Sequence, residues 1–229
     1  MKWHDLLFIH YPVAVERLRE LVPAPLEVET FDGQAWVGVV PFRMTGVKPR
    51  RVPSLPWISA FPELNVRTYV TCGGKAGVWF FSLDAANPVA VSVARRFFHL
   101  PYFNARMSPV RRGESILYSS HRTHKRAASA EFRANYRPAA PVFRSRPGSL
   151  EYWLTERYCL YSADSRGGTW RVDIHHEPWP LQPGEAEIEK NTMLDWLGLD
   201  PLTAAPVLHF ARELEVAAWF PVNIADERL

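Results

Sequence analysis

The 229-residue chain is sparing with cysteine and glycine and has no long apolar run. Its two cysteines, Cys72 and Cys159, lie far apart and form no CxxC pair. That excludes a disulfide framework and a thiolate metal knuckle, and reduced thiols are expected. The opening Met1-Lys2-Trp3-His4-Asp5 leads into only four strongly apolar residues, Leu6 to Ile9. A secretory leader needs a longer apolar stretch. The uncharged stretch Val52–Pro62 is eleven residues long and holds three prolines, well short of the roughly eighteen residues of a membrane span. A cytoplasmic protein with no membrane partner is therefore expected. Three motifs are also missing: G-x-S-x-G, G-x-x-x-x-G-K-[ST] and G-x-G-x-x-G. Without them, lipase-like, P-loop and dinucleotide-binding chemistry have no foothold, and no cofactor is expected. There is no internal repeat and no low-complexity segment.

Proline and aromatic residues are abundant instead. Twenty prolines against twelve glycines break long helices and favour many short elements with ordered turns. Nine Trp, eight Tyr and thirteen Phe supply apolar bulk for a core or a pocket wall. With 47% hydrophobic and 22% charged residues, the chain has the composition of one globular domain spanning residues 1–229. The net charge of +3 is unevenly spread: residues 95–146 hold twelve Lys/Arg and two Asp/Glu, residues 187–229 three bases and eight acids. Two readings of the basic stretch compete. It is either a solvated strand face that pairs with the acidic tail, or a nucleic-acid footprint with Phe103, Tyr118, Phe132 and Tyr136 as stacking residues. Phe132 and Tyr136 fall on an apolar strand face, which favours the first.

The dominant period is two. Apolar residues occupy the even positions of Glu63–Val70. Phe132, Ala134 and Tyr136 alternate with Glu131, Arg133, Asn135 and Arg137. The same holds for Trp170, Val172 and Ile174, and for Leu214, Val216 and Ala218. Such alternation marks antiparallel strands with two unlike faces. Gly33 and the run Gly73-Gly74-Lys75-Ala76-Gly77 signal hairpin turns. Four short helices are expected: near 13–22; after the Asn87-Pro88 cap with a Val89/Val93/Phe97 stripe; from Ser149 to about Glu156; and over 187–197, ending at Gly198. The fold class is mainly β with small flanking helices, a sheet curled into a cone or barrel.

Two histidine clusters do not read as metal sites, and no metal is expected. His121 and His124 sit among Arg122, Lys125 and Arg126. His175 and His176 project to opposite strand faces. Glu63, Asn65 and Arg67 differ, because they share one strand face at spacings of about 6–7 Å, opposite an apolar face. On an open sheet that face would simply be wet. In a closed barrel it would place an acid, an amide and a cation in a lumen, a set able to orient a ligand.

Residues 11–28 (Tyr11-Pro12 through Leu18-Arg19-Glu20-Leu21-Val22-Pro23-Ala24-Pro25-Leu26-Glu27-Val28) resemble the opening of the acetoacetate decarboxylase superfamily. The resemblance continues through Phe61–Val70, Gly77–Ala85, Ala94-Arg95-Arg96, Leu100-Pro101-Tyr102 and Leu150–Tyr158. In combination these segments are similar to the YqjF-like branch, a domain-of-unknown-function family. The resemblance implies an antiparallel β cone or barrel around a central pocket. In the decarboxylases the nucleophile is a lysine directly after the proline of a G-R-E-…-P-K segment; here that position is Tyr102. An active-site glutamate maps to Glu63, a second carboxylate to Gly38 and an active-site arginine to His4.

A phenol forms no imine with a ketone, so classical decarboxylation is not expected. Lys2, Lys48, Lys75, Lys125 and Lys190 all lack the apolar setting that would make a substitute amine reactive. The functional expectation is a pocket for a small carboxylate or carbonyl compound. Glu63 would be the general acid/base and Tyr102 the donor to a carbonyl or enolate. His4, Trp36, Asn65, Arg67 and Arg95 would be ligand-binding. The competing possibility is a structural Glu63–Arg67 ion pair with Tyr102 as a core residue. The proline-rich segment 48–57 is either a surface loop or a rim with Trp57 closing and Arg50 and Arg51 steering anions. A homo-oligomer is left open.

Overall fold

A computed structural model describes residues 1–47, 59–202 and 204–225; the proposed rim segment 48–57 lies outside them. The strands in chain order are β1 (Lys2–Val13), β2 (Glu27–Val28), β3 (Ala35–Thr45), β4 (Phe61–Cys72), β5 (Lys75–Ala85), β6 (Tyr102–Arg112), β7 (Ser115–Arg122) and β8 (Glu131–Pro138). They continue with β9 (Cys159–Ala163), β10 (Thr169–His176), β11 (Gln182–Asn191), β12 (Val207–Ala218) and β13 (Val222–Asn223). Among the described residues, helices α1 (Val15–Leu21), α2 (Pro88–Phe97) and α3 (Leu150–Thr155) flank them. Asn87 caps α2 by accepting from the Val89 and Ala90 amides, and Ser149 caps α3 through the Tyr152 amide.

The strand pairings close into two circuits that share a wall. One runs β4–β5–β6–β7–β8–β11–β12–β1–β3 and back to β4; the other runs β10–β9–β5–β4–β3–β1–β12 and back to β10. The shared wall, β12–β1–β3–β4–β5, is therefore covered on both faces. One face packs Leu7, Ile9, Leu64, Val66 and Val70 with Tyr118, Phe132 and Tyr136. The other packs Leu6, Phe8, Trp36 and Tyr69 with Tyr102 and Trp179. This placement buries the polar side of β4 as deeply as its apolar side: Leu64 and Val66 are 0% exposed, Glu63 2% and Asn65 5%. Sequence alternation identified the two faces, and closure put both out of water.

Most pairings are antiparallel, but β5 runs parallel to β6 and to β9. The β5–β6 connection carries α2, the crossover that a parallel neighbour requires. The Gly73-Gly74 turn joins Cys72 to Lys75 with both glycines at positive φ, the mirror-type turn that matches strand twist.

Three local expectations are corrected. Residues 187–197 are not a helix: β11 extends to Asn191, and only a 3-10 turn, Asp195–Leu197, precedes Gly198 at φ 60°. The segment Glu185-Ala186-Glu187-Ile188-Glu189 is itself period two. Its acids face out and pair with β8, as Arg137–Glu185 and Arg133–Glu189. The α2 helix exists, but its Val89/Val93/Phe97 stripe faces outward, at 51%, 45% and 62% exposure. It rests instead on Val91, Ala90 and Ala94, and Arg95 fixes its rotation by donating to the Tyr102 carbonyl at 2.7 Å. Finally, Tyr118, Phe132 and Tyr136 are buried, which removes the stacking platform that nucleic-acid binding needed. Both cysteines are free thiols, and among the described residues no helix is long and apolar enough to cross a membrane.

Candidate functional site

The β4 stripe sits in the second circuit, facing cross-strand partners on β3. Glu63 lies opposite Phe42, Asn65 opposite Val40 and Arg67 opposite Gly38; Gly38 in turn lies opposite His10 on β1. His10, Gly38 and Arg67 thus form one row across three strands. Gly38 is what lets the flanking side chains meet, because a Cβ there would stand 3.2 Å from His10 Cδ2 and 3.5 Å from Arg67 Cγ.

At the β6 end, the Tyr102 hydroxyl donates to Glu63 Oε2 at 2.7 Å. Burial pushes the Glu63 carboxyl up to about 7, against the pull of the hydrogen bonds from Tyr102 and Asn65. Burial and the adjacent Glu63 charge hold Tyr102 well above the ordinary phenol range. An acid poised at neutrality beside a protonated phenol is a combination suited to proton transfer.

At the other end, Tyr69 Oη and His10 Nε2 are 2.7 Å apart. Burial, the Arg67 charge and His209 keep His10 well below the usual imidazole range, so a neutral ring accepts from the Tyr69 hydroxyl. The Arg67 guanidinium lies 5.4 Å from the Phe8 ring centroid, and the Arg157 guanidinium 5.2 Å from that of Tyr69 and 4.6 Å from that of Trp153. Arg157 is paired with Glu29. Arg67, 8% exposed, makes no ion pair among the described residues. The structural ion pair considered as the alternative, Glu63 with Arg67, does not form.

Several buried polar atoms here have no hydrogen-bond partner among the described residues: Asn65 Oδ1, Arg67 Nε, Arg157 Nη2, His10 Nδ1, Trp36 Nε1 and Trp179 Nε1. Buried polar atoms are ordinarily satisfied, so such a concentration is informative.

The structure thus brings together Glu63, Tyr102, Asn65, Arg67 and Trp36, and leaves two expected residues outside. His4 is tied to Thr45 Oγ1 at 2.7 Å and to Glu213 at 3.2 Å. It lies opposite Arg43, on the reverse face from the Trp3–Met44 pair. A break in β1 register, with Asp5 at φ 54°, reverses the alternation there. Arg95 is exposed, donates to the Tyr102 carbonyl and lies 5.8 Å from the Phe103 ring centroid, so it positions α2 rather than lining the site. His10, Tyr69, Arg157 and Trp179 escaped sequence reasoning; only His10 carried a signal, as the polar member of the Leu6/Phe8/His10 series. Two clefts, of about 220 and 540 Å³, flank other strands and touch none of these residues. Among the described residues, no group of three His, Cys, Asp or Glu is arranged to hold a metal.

The model of the family DUF2071, described as an uncharacterized conserved protein, matches residues 1–215. The chain belongs to this family. Its relative YqjF of Bacillus subtilis strain 168, an uncharacterized protein, is 48% identical over 217 residues, covering 95% of this chain and 88% of that one. Among solved structures, the acetoacetate decarboxylase of Legionella pneumophila superposes with a TM-score of 0.59 at 14% identity, over 97% of this chain and 87% of that one. The enduracididine biosynthesis enzyme MppR superposes with a TM-score of 0.66 at 12% identity, over 98% and 88%. These likenesses establish the acetoacetate decarboxylase-like fold of this DUF2071 member.

Proposed function

We propose that the second circuit encloses a binding site for a small carbonyl compound, in which Glu63 and Tyr102 move protons next to the carbonyl without a Schiff base. The observation that carries this reading is the 2.7 Å Tyr102–Glu63 hydrogen bond around a fully buried carboxyl pushed up to about 7. The lysines support it. Lys2, Lys75, Lys125 and Lys190 are all exposed, and Lys2 and Lys75 are engaged with Glu213 and Asp173. None of the four has the desolvated setting that makes an amine reactive toward a ketone.

In the ionised form, the Glu63 carboxylate takes a proton from the carbon beside the carbonyl. The C–H pair moves into the adjoining C–C bond, and the carbonyl π pair moves onto oxygen. The Tyr102 hydroxyl, released from Glu63 as that group becomes protonated, turns its hydrogen bond to the developing oxyanion. Asn65, beside Glu63, steadies the carboxyl. Trp36 and Phe8 exclude water from the site.

MppR, which shares the fold, has a structure in complex with pyruvate, and pyruvate is the natural first probe. The test is α-hydrogen exchange of pyruvate and butanone in deuterated buffer, followed by NMR. Wild type is expected to exchange. Glu63→Gln should abolish exchange, and Tyr102→Phe should slow it by about 10²-fold. Borohydride treatment should leave no covalent adduct by mass spectrometry. An adduct, or exchange unaffected by Glu63→Gln, overturns the proposal.

A further inference from the structure

We infer that the occupant of this site is an anion, a small monocarboxylate whose charged group is held by Arg67 and Arg157 on either side of Tyr69. The inference rests on the reading above and deepens it by naming the ligand's charge.

The charge balance of the enclosure points this way. Arg67 is a buried guanidinium that bonds to the uncharged Tyr69 hydroxyl and has no carboxylate partner among the described residues. The nearest acid along its strand face, Glu63, is two same-face positions away and is engaged by Tyr102. Glu29 is committed to Arg157. A buried cation without a partner is costly, and proteins normally supply one. Here no described residue supplies the counter-charge, although Asp84–Arg122 on the opposite face of the same wall shows a fully paired arrangement.

The unsatisfied atoms are also unbalanced in kind. Arg67 Nε, Arg157 Nη2, Trp36 Nε1 and Trp179 Nε1 are all donors, whereas Asn65 Oδ1 is an acceptor. A cluster rich in donors and carrying one uncompensated positive charge is complementary to an oxyanion. A guanidinium favours a planar carboxylate, which can take two parallel hydrogen bonds. Arg157 cannot fill the role alone, since Glu29 already neutralises it; it adds a donor and closes the far side of Tyr69. Bound there, a carboxylate would direct its remaining carbons along β4 toward Glu63 and Tyr102, where the proton chemistry takes place.

The position differs from the one the superfamily resemblance suggested. The arginine expected at His4 is absent, and His4 itself lies on the reverse face, engaged with Thr45 and Glu213. Arg67 supplies the charge from β4.

The test is calorimetric titration of the full chain with acetate, pyruvate and benzoate, each beside its amide, in parallel with butanone exchange. At least one carboxylate is expected to bind ten-fold or more tightly than its amide. Arg67→Met should erase that preference, and Arg157→Met should weaken it. Arg67→Met should also melt no lower than wild type, because it removes an unpaired charge. Should no carboxylate outbind its amide, or should Arg67→Met keep the preference or melt markedly lower, the inference fails. Butanone exchange that persists in that event leaves the proton-transfer reading standing; its loss in wild type removes that reading separately.

Discussion

Two buried polar clusters occupy opposite faces of one wall and are built on opposite principles. Asp84 and Arg122 meet in a two-pronged pair, both bonds 2.7 Å, with side chains 1% and 2% exposed. Phe103 and Trp196 cover the guanidinium at 4.3 and 5.3 Å. Every charge there has its counterpart, as a structural ion pair must. On the other face Glu63 and Arg67 share a strand face two same-side positions apart and do not pair. Glu63 faces a phenol, and Arg67 lies over the Phe8 ring and bonds to the Tyr69 hydroxyl. Pairing closes the first cluster to any other partner. Its absence in the second leaves an acid near neutrality and, among the described residues, a cation without a counter-charge in one enclosure, the arrangement on which the proposed recognition and proton transfer rest.

The largest contrast should appear when each cluster loses one member. Asp84→Ala strands a buried guanidinium and should cost about 3–5 kcal/mol in urea denaturation. Arg67→Met should cost nothing or stabilise slightly. Equal losses would show that Arg67 is as structural as Arg122. Next in size is the pH dependence. The carboxyl of Glu63 titrates near 4.5 in the unfolded chain and near 7 in the folded one. The folded state therefore binds the extra proton, and stability falls as pH rises from about 4.5 to about 7. That loss amounts to about 3 kcal/mol, and Glu63→Gln should remove it. On the paired face, burial pushes Asp84 up while Arg122 pulls it back.

A smaller effect is expected for Tyr102→Phe. It deletes a donor to Glu63 and should cost about 1–2 kcal/mol while moving the Glu63 midpoint further up; an unchanged midpoint would disconnect the two residues. Smallest is Gly38→Ala. Its Cβ would press on His10 at 3.2 Å, and the expected loss is about 1 kcal/mol, with a changed His10 proton resonance as the local sign.

The sheet was readable in the sequence because its strands alternate so regularly. The stripe Glu63/Asn65/Arg67 and its distinctness from Leu64/Val66 came directly from that alternation. Burial of both faces did not, because it depends on β10 meeting β12 and β5 meeting β9, contacts between distant segments. His4 entered the site through the resemblance alone; the break in β1 register at Asp5, which adopts a positive φ, turns it to the reverse face opposite Arg43. The α2 stripe misled because Val89, Val93 and Phe97 recur at helical spacing, yet that face is exposed and Ala90, Val91 and Ala94 pack on the core instead. Arg157 was invisible, since it follows α3 in irregular backbone and reaches Tyr69 only through the fold. Tyr102 was found through resemblance alone; its hydrogen bond to Glu63 needed coordinates.

The most direct measurement is the titration of the Glu63 side-chain carboxyl by NMR in the folded protein, assigned by its loss in Glu63→Gln. A midpoint near 7, moving upward in Tyr102→Phe, is the predicted result. A midpoint near 4.5, indifferent to Tyr102, would mean a wet or charge-paired carboxylate and would contradict the account.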